Sequence, residues 1–428
     1  MRQTARHPLV ATLLFGCAAM QPARSEYIID PVVEGERPRS FVCVAEQLSY
    51  DSNLFRIAKF VDPKTTLGPD ASRDDFIART SACVDANWQW AQQRFRLTGS
   101  IDDNRYRHNQ MLDHTSGNGK LQWDWQVGES WYGKLGGSYQ HALSSFINDR
   151  PIEKDLVDST RYFGELNKDV GTFVTLHVGG SRTETSHDTV ARQVDNYRNT
   201  SGDAGITLTS RAGNYIGANY QYSKADYPDP VLIETPPITP IPGITIPGTT
   251  ITVDRDYKER ISLLRFSYAL APRTVLRGSG GYVSRTYAGA PDSDYSGAQW
   301  RLFLTWQPTV STQLELSGWQ QLNAYFDLEA DHFVSRGFSV TPSWMPHERV
   351  KISTLFSWEK QQYLARTLAV IDTAARDDKV STAGLDVAYR PAEWLDVGVN
   401  YKYEEHDSTL AAYKFNDQIA ALQLRLRF

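Results

Sequence analysis

Strand-like segments, in which apolar and polar residues alternate, recur along the chain, and the links between them alternate in length. The short links are Gln92-Gln93, Gly128-Glu129-Ser130, Val170-Gly171, Ala212-Gly213, Ala271-Pro272-Arg273, Gln307-Pro308-Thr309, Met345-Pro346-His347 and Arg390-Pro391-Ala392. The long polar links are 56–73, 107–115, 145–155, 184–196, 226–256, 287–294, 324–331, 361–376 and 406–415. This rhythm is typical of an up-and-down barrel with short turns at one end and long loops at the other.

Eight short links and nine long ones predict an all-β, transmembrane, antiparallel up-and-down β-barrel of about 18 strands over residues 43–428. The patterns are weakest in the first strand and near 197–210, so a barrel of about 16 strands is the alternative. An even number returns both chain ends to the periplasm. A soluble propeller has a similar repeat length. Aromatic residues close to the short links favour the membrane barrel, because such girdles mark membrane interfaces. These residues are Trp88, Trp90, Trp131, Trp306, Trp344, Tyr389 and Trp394.

The composition agrees with strands that have one lipid face and one water face. Hydrophobic residues make up 41% and aromatic residues 12% of the chain, and the mean hydropathy is −0.45. Beyond the N-terminus no segment approaches the ~18 consecutive apolar residues of a transmembrane helix. The net charge of −5 and the lack of a basic run disfavour nucleic-acid binding.

The N-terminus has the features of a cleaved export signal over residues 1–25. Arg2 and Arg6 precede an apolar stretch from Leu9 to Met20, and Ala23-Arg24-Ser25 offers small residues for cleavage. A buried helix and lipoprotein processing at Cys17 are the alternatives. Residues 26–42 would then form a periplasmic tail before the barrel.

The last strand ends in an aromatic residue. Ala420, Leu422, Leu424, Leu426 and Phe428 share one face, and Arg425 and Arg427 share the other. This pattern resembles the signal that the barrel-insertion machinery of the outer membrane recognises, with Leu424, Leu426 and Phe428 as its core. We therefore expect the cell outer membrane of a Gram-negative bacterium as the location and outer-membrane lipid as a partner.

The phase of each strand predicts which charges line the lumen, because a charge facing lipid at mid-depth costs about 2–4 kcal/mol. The predicted basic lining is Arg79, Arg94, Arg96, Lys134, Arg265, Arg277, Arg285, Arg301, Lys351, Lys402, Arg425 and Arg427. The predicted acidic lining is Asp85, Asp102, Asp124, Glu315, Glu359, Asp386, Asp396 and Glu404. One interpretation is a conduit with a modest basic excess that steers an anionic or hydroxyl-rich solute. The other is a network of ion pairs that fills the barrel. Trp319 and Phe303 share the inward phase; they are either a surface for sugar rings or local packing.

Two further features are distinctive. Cys43 and Cys83 fall near each other on the first two strands, with the same phase, and predict a disulfide in the oxidising periplasm.

The Pro-rich segment from Tyr227 to Asp254 is either a gate or partner surface at the mouth, or an extended external loop of no special role.

No sequence motif indicates catalysis, a cofactor or a metal. Gly-x-Ser-x-Gly, His-Glu-x-x-His and Cys-x-x-Cys are all absent. His141, His177 and His187 lie in separate segments without metal-ligand spacing. The sequence therefore predicts a protein that is not an enzyme.

The opening strand and the segment after its loop carry a family resemblance. Tyr50-Asp51-Ser52-Asn53-Leu54-Phe55-Arg56 and Arg73-Asp74-Asp75-Phe76, together with the barrel rhythm, resemble the EpsL-type outer-membrane proteins of exosortase-linked exopolysaccharide operons, within a broader class of β-barrel porins. The resemblance implies export of an extracellular polysaccharide across the outer membrane, with periplasmic or inner-membrane components as partners.

Three functions therefore stand side by side. The first is a conduit for polysaccharide export. The second is a general or oligosaccharide-uptake porin. The third is a plugged barrel that serves as an assembly or surface-attachment scaffold.

Overall fold

Alternating strands form one large antiparallel sheet that closes on itself. The computed structural model describes residues 40–147, 152–234, 238–241, 244–246, 250–289, 293–324, 330–365 and 376–428. The predicted signal peptide 1–25, Cys17 and nearly all of the predicted tail 26–42 lie outside these residues.

Eighteen strands form the barrel. They are β1 (Phe41–Asp51), β2 (Asp75–Trp90), β3 (Gln93–Tyr106), β4 (His114–Val127), β5 (Trp131–Leu143), β6 (Leu156–Val170), β7 (Val174–His187), β8 (Tyr197–Thr209), β9 (Tyr215–Asp226), β14 (Tyr257–Ala271), β15 (Thr274–Tyr287), β16 (Tyr295–Trp306), β17 (Thr312–Ala324), β18 (Ala330–His347), β19 (Val350–Ala365), β20 (Asp377–Ala392), β21 (Leu395–Ser408) and β22 (Phe415–Arg427). The predicted strand number is confirmed, and the alternative of about 16 is wrong.

Closure comes from β1, which pairs antiparallel with β2 on one side and with β22 on the other. Cys43 lies opposite Cys83 in one ladder and opposite Arg427 in the other. Closure removes the open sheet edges that a membrane cannot tolerate. The two weakest sequence segments both form strands, β1 and β8; β1 begins at Phe41, two residues before the expected boundary.

Four short strands lie in the long connection between β9 and β14. They are β10 (Val231–Glu234), β11 (Ile238–Ile241), β12 (Ile244–Ile246) and β13 (Thr250–Val253). The short helices are α1 (Pro63–Leu67) and the 3₁₀ turns Gln110–Leu112, Val190–Asp195 and Ala411–Tyr413. No helix in the described part of the chain is long and apolar enough to cross a membrane.

Two of the predicted short links are wrong in position. Strand β18 continues to His347 and β20 continues to Ala392, so the chain turns one or two residues later than the prolines suggested. Both prolines lie where the ladder register shifts, between Trp344 and His347 and between Tyr389 and Ala392. Proline has no N–H to donate, and a bulge is a place where a strand accommodates it.

The outer surface carries the apolar face of the strands. Trp88, Trp90, Trp306 and Trp394 are 48%, 76%, 46% and 57% exposed near the short turns. Amphipathic rings at one level of the barrel match the aromatic girdle expected at the periplasmic interface. The opposite face of each strand therefore points into the barrel.

Candidate transport lumen and its extracellular mouth

The strand register places every charge predicted to line the lumen on the inward face. On each strand these residues alternate with the exposed apolar ones; Arg265, for example, lies between Leu264 and Phe266. The predicted charges on this face are Arg79, Arg94, Arg96, Lys134, Arg265, Arg277, Arg285, Arg301, Lys351, Lys402, Arg425, Arg427, Asp85, Asp102, Asp124, Glu315, Glu359, Asp386, Asp396 and Glu404. Their role in transport stays a prediction.

Some of the charged side chains on the inward face form ion pairs with each other. Arg96 bonds Asp124 at 2.6 Å, and Arg285 bonds Glu259 at 2.6 Å. Near the periplasmic end, Asp396 pairs with Arg390 at 2.8 Å and also with Arg427. These groups stabilise neighbouring strands, as the ion-pair interpretation expects.

The register also adds acidic groups to the inward face that the sequence pattern did not single out. Glu165 and Asp203 both approach His177, with 3.9 Å and 2.6 Å between the nearest N and O atoms. The register adds the basic groups Lys120 and Arg161 as well, so the modest basic excess expected for the lumen as a whole stays a prediction. Four arginines lie together on one wall.

That basic wall consists of the inward faces of β14, β15 and β16. It holds Arg265, Arg277, Arg285 and Arg301, against the single carboxylate of Glu259 among the inward residues described there. Ser279 lies opposite Arg265 on one side and opposite Arg301 on the other, so the two arginines belong to one cross-strand row. Such a cluster attracts anions into the barrel.

Aromatic rings border the basic wall. The Arg301 guanidinium lies 5.1 Å from the Phe303 ring centroid. Trp319 lies opposite Arg301 on β17, and its indole N–H donates to Ser335 Oγ at 3.0 Å. A Cβ built on Gly337 would approach a Trp319 ring carbon to 2.6 Å, so the indole lies against the backbone at this glycine. Glycine permits this close approach.

Cys43 and Cys83 form a disulfide on the inward face. The two residues are direct cross-strand neighbours, with Cα atoms 4.9 Å apart. The bond links β1 to β2 beside the closing seam with β22.

Apolar residues of three loops pack together at the extracellular mouth. Phe55 and Ile57 of the loop 52–74 are 1% and 2% exposed, and they pack with Leu112, Phe146 and the inward residue Tyr106. Sequence reasoning assigned these loops to the outside only. The apolar content of Leu54-Phe55-Arg56-Ile57 was the signal that could have indicated a buried contact.

The two motifs of the family resemblance face each other in this cluster. Leu54 N–H donates to the Arg73 carbonyl at 2.8 Å, and Tyr50 Oη donates to Asp74 at 3.2 Å. Arg73 in turn donates to the carbonyls of Ile57 and Ala58 at 3.0 and 3.2 Å. The motifs thus build one folded loop rather than a ligand site.

Asp75 joins this loop to the next. Its carboxylate is fully buried and accepts the backbone N–H groups of Arg107, His108 and Asn109 at 2.9, 2.9 and 2.8 Å. The Asn109 side chain adds a fourth bond at 2.8 Å. A second anchor is Arg56, which bonds Asp51 at 3.0 Å and Asp417 at 3.1 Å, and so ties the loop to the last strand.

Ionisable groups outside the membrane-spanning segments reflect these contacts. Burial opposes ionisation of Asp74, but hydrogen bonds from Ser72 and Tyr50 outweigh it and lower its pKa. Burial likewise opposes ionisation of Asp155, yet the hydrogen bond and charge of His187 lower its pKa. Both carboxylates therefore stabilise the loops in their ionised form.

A row of aromatic rings borders the opposite side of the mouth. Tyr197, Tyr227, Tyr257 and Tyr287 follow one another with ring centroids 5.6–6.5 Å apart. Arg285 lies 4.3 Å from the Tyr257 ring centroid. Tyr227 and Tyr257 flank the Pro-rich loop, so the base of that loop is fixed to the barrel.

The Pro-rich segment forms two short antiparallel ladders instead of an irregular loop. Strand β10 pairs with β13, and β11 pairs with β12. The ladders occupy residues between most of the prolines, and the register is irregular around Pro240. A gate or partner role for the segment stays a prediction.

The fold matches solved outer-membrane channels. The family model described as "Putative beta-barrel porin 2" matches residues 275–428. The structure of OccK2 (OpdF) from Pseudomonas aeruginosa aligns over 92% of this chain and 100% of that one, with 11% identity and a TM-score of 0.50. The chain has the fold of a porin-like β-barrel.

Other solved porins align with this porin-like barrel over similar lengths. A BenF-like porin from Pseudomonas fluorescens Pf-5 has 10% identity and a TM-score of 0.48, covering 92% of this chain and 100% of that one. No curated protein sequence matches the chain. At these identities the likeness concerns the fold, so function has to be argued from the lumen.

Proposed function

We propose that the porin-like barrel is a conduit for an acidic, hydroxyl-rich saccharide. The observation that carries the proposal is the basic wall of β14–β16 with aromatic rings beside it. Guanidinium groups attract carboxylates. Aromatic faces, with their negative quadrupole, suit the C–H groups of a sugar ring.

The arrangement of the basic wall suits passage of a saccharide better than tight binding of it. The wall is partly exposed along its length, and its side chains come from three adjacent strands rather than from one enclosed pocket. A conduit needs contacts that are individually weak and repeated, because a passing molecule has to be released at each step.

The resemblance of the opening strand to EpsL-type proteins supports a particular direction of transport and a large transported molecule. It favours a polysaccharide leaving the cell, supplied by periplasmic or inner-membrane components. The loop cluster at the mouth, anchored through Asp75 and Arg56, would limit backflow in such a system.

Deletion of the chromosomal copy, followed by assay of secreted uronic-acid polymer, tests the proposal. We expect secretion to fall, full-length protein to restore it, and a double variant Arg265→Ala/Arg277→Ala to restore it poorly. Arg260→Ala is the matched control, because Arg260 lies on the same strand as Arg265 but is exposed on the outer face.

A small-solute porin is the second candidate, favoured by the general porin-like fold. Normal polymer secretion by the deletion strain, combined with slower uptake of small sugar acids, would replace the export proposal with this one. Equal restoration by the inward and outward variants would show that the basic wall has no role in transport.

A further inference from the structure

Glu46 is an ionisable side chain on the lipid-facing surface of β1. Its neighbours on that face, Val44 and Leu48, are 48% and 56% exposed, and Glu46 is exposed as well. Its cross-strand neighbours are Thr80 on β2 and Leu424 on β22.

The position corresponds to the middle of the membrane. Leu424 is the central member of the outward row Ala420, Leu422, Leu424, Leu426 and Phe428. That row spans eight residue steps, or about 20 Å of height for a strand tilted by about 40°. It therefore covers most of the apolar band, which is about 25 Å tall.

Glu46 differs from the other outward charges of the described strands. Those charges lie towards the strand ends, as Asp103 and Arg260 do at the extracellular side. Lys168 lies at the periplasmic side, where its ammonium group is 4.4 Å from the Trp131 ring centroid and bonds Ser130. On its own strand, Glu46 has the apolar outward residues Val42 and Val44 before it and Leu48 after it.

The surroundings of Glu46 satisfy little of its hydrogen-bonding capacity. One donor reaches it in the described structure, the Thr80 hydroxyl at 2.7 Å. A carboxyl group can take part in several hydrogen bonds, and hydrocarbon chains supply none. The glutamate side chain is too short to reach the headgroups from mid-depth, so another protein surface is the natural source of partners.

The adjacent surface allows a second protein to come close. On β2 the outward residues Ala78 and Ala82 flank Thr80 and project no more than a methyl group. Small residues permit close backbone approach inside membranes. A carboxyl group that carries its proton both donates and accepts, so two such groups are self-complementary.

We propose that a second copy of this chain docks on the outer faces of β1 and β2, with the two Glu46 carboxyl groups hydrogen-bonded to each other at a two-fold axis. Isologous packing brings a residue at the axis against its own equivalent. The proposal goes beyond the conduit function and does not depend on it, since it concerns the lipid-facing surface alone.

Cross-linking in native outer membranes tests the geometry. With a short bis-maleimide, Leu48→Cys should give a covalent dimer, since Leu48 is the next outward residue on β1. Leu264→Cys is the control, because Leu264 is 58% exposed on β14, far from β1 in the ring. Equal cross-linking of the two variants, or none at Leu48→Cys, would overturn the proposal.

Substitution of Glu46 tests the chemistry. We expect Glu46→Leu to weaken dimerisation about tenfold, the effect of losing roughly two intramembrane hydrogen bonds. Glu46→Gln should retain it, because an amide also donates and accepts. Heat-modifiable migration in gels reports barrel folding separately. A folded Glu46→Leu protein that dimerises as strongly as the unsubstituted one contradicts the proposal.

Discussion

Replacement of Asp75 by alanine should release the loop cluster at the mouth while leaving the barrel intact. The Asp75 carboxylate is fully buried and accepts three backbone N–H groups and the Asn109 side chain at 2.8–2.9 Å. Alanine offers none of these acceptors. The donors at Arg107, His108 and Asn109 would then lose their partner in a poorly hydrated site.

The magnitude follows from these bonds. A hydrogen bond to a charged group contributes about 1.5–3 kcal/mol, and a buried donor without a partner costs about 1–3 kcal/mol. Because the loop can relax and admit water, we take the lower part of that range and expect a loss of about 3 kcal/mol in local opening free energy. Each 1.4 kcal/mol is a factor of ten, so amide exchange should accelerate about 100-fold.

Hydrogen–deuterium exchange of the folded protein, read at the amides of residues 107–109, measures this change. Asp103→Ala is the control, because Asp103 is an exposed acid whose ion partner is Arg105 at 2.8 Å. Exchange at 107–109 that is unchanged in Asp75→Ala, or equally fast in both variants, would refute the assigned role of Asp75.

Three further outcomes are expected. Reduction of the purified protein should add the mass of two hydrogens, since Cys43 and Cys83 are bonded; two free thiols before reduction would contradict this. The pKa of Asp155 is lowered in the folded state, so its stabilisation is complete above the ordinary carboxylate value of about 4 and is lost as pH falls below it. Proteolysis within 144–155 should therefore rise on acidification, and an unchanged rate would count against the Asp155–His187 contact. Phe428→Ala should lower the yield of inserted barrel, because the insertion signal is weakened; an unchanged yield in the outer-membrane fraction would exclude that role for Phe428.

Much of the fold could be predicted because a membrane barrel is encoded by local signals. The two-residue period of each strand and the alternation of link lengths need no long-range information. Even the inward phase of Arg277 or Glu315 follows from its immediate neighbours. The turns predicted at Pro346 and Pro391 were wrong in position because a bulge can hold a proline as readily as a turn can.

The features that sequence reasoning missed depend on contacts between distant segments. Asp75 reaches Asn109 only when β2 and β3 pair, and Arg56 reaches Asp417 only after the barrel has closed. The acidic groups around His177 come from the two neighbouring strands, β6 and β8, and only the strand register brings them together. Glu46 belongs to the outer face by phase alone, but its mid-depth position required the alignment of β1 with β22.

Ion current through single barrels in a planar bilayer tests the conduit most directly. With a uronic-acid oligomer on the periplasmic side, we predict transient current blockades that shorten in the Arg265→Ala/Arg277→Ala variant and are rarer with a neutral oligomer of equal length. The Asp75→Ala variant should conduct more strongly than the unsubstituted protein. Absence of current in both proteins would indicate a plugged scaffold, and equal blockade by acidic and neutral oligomers would contradict the role given to the basic wall.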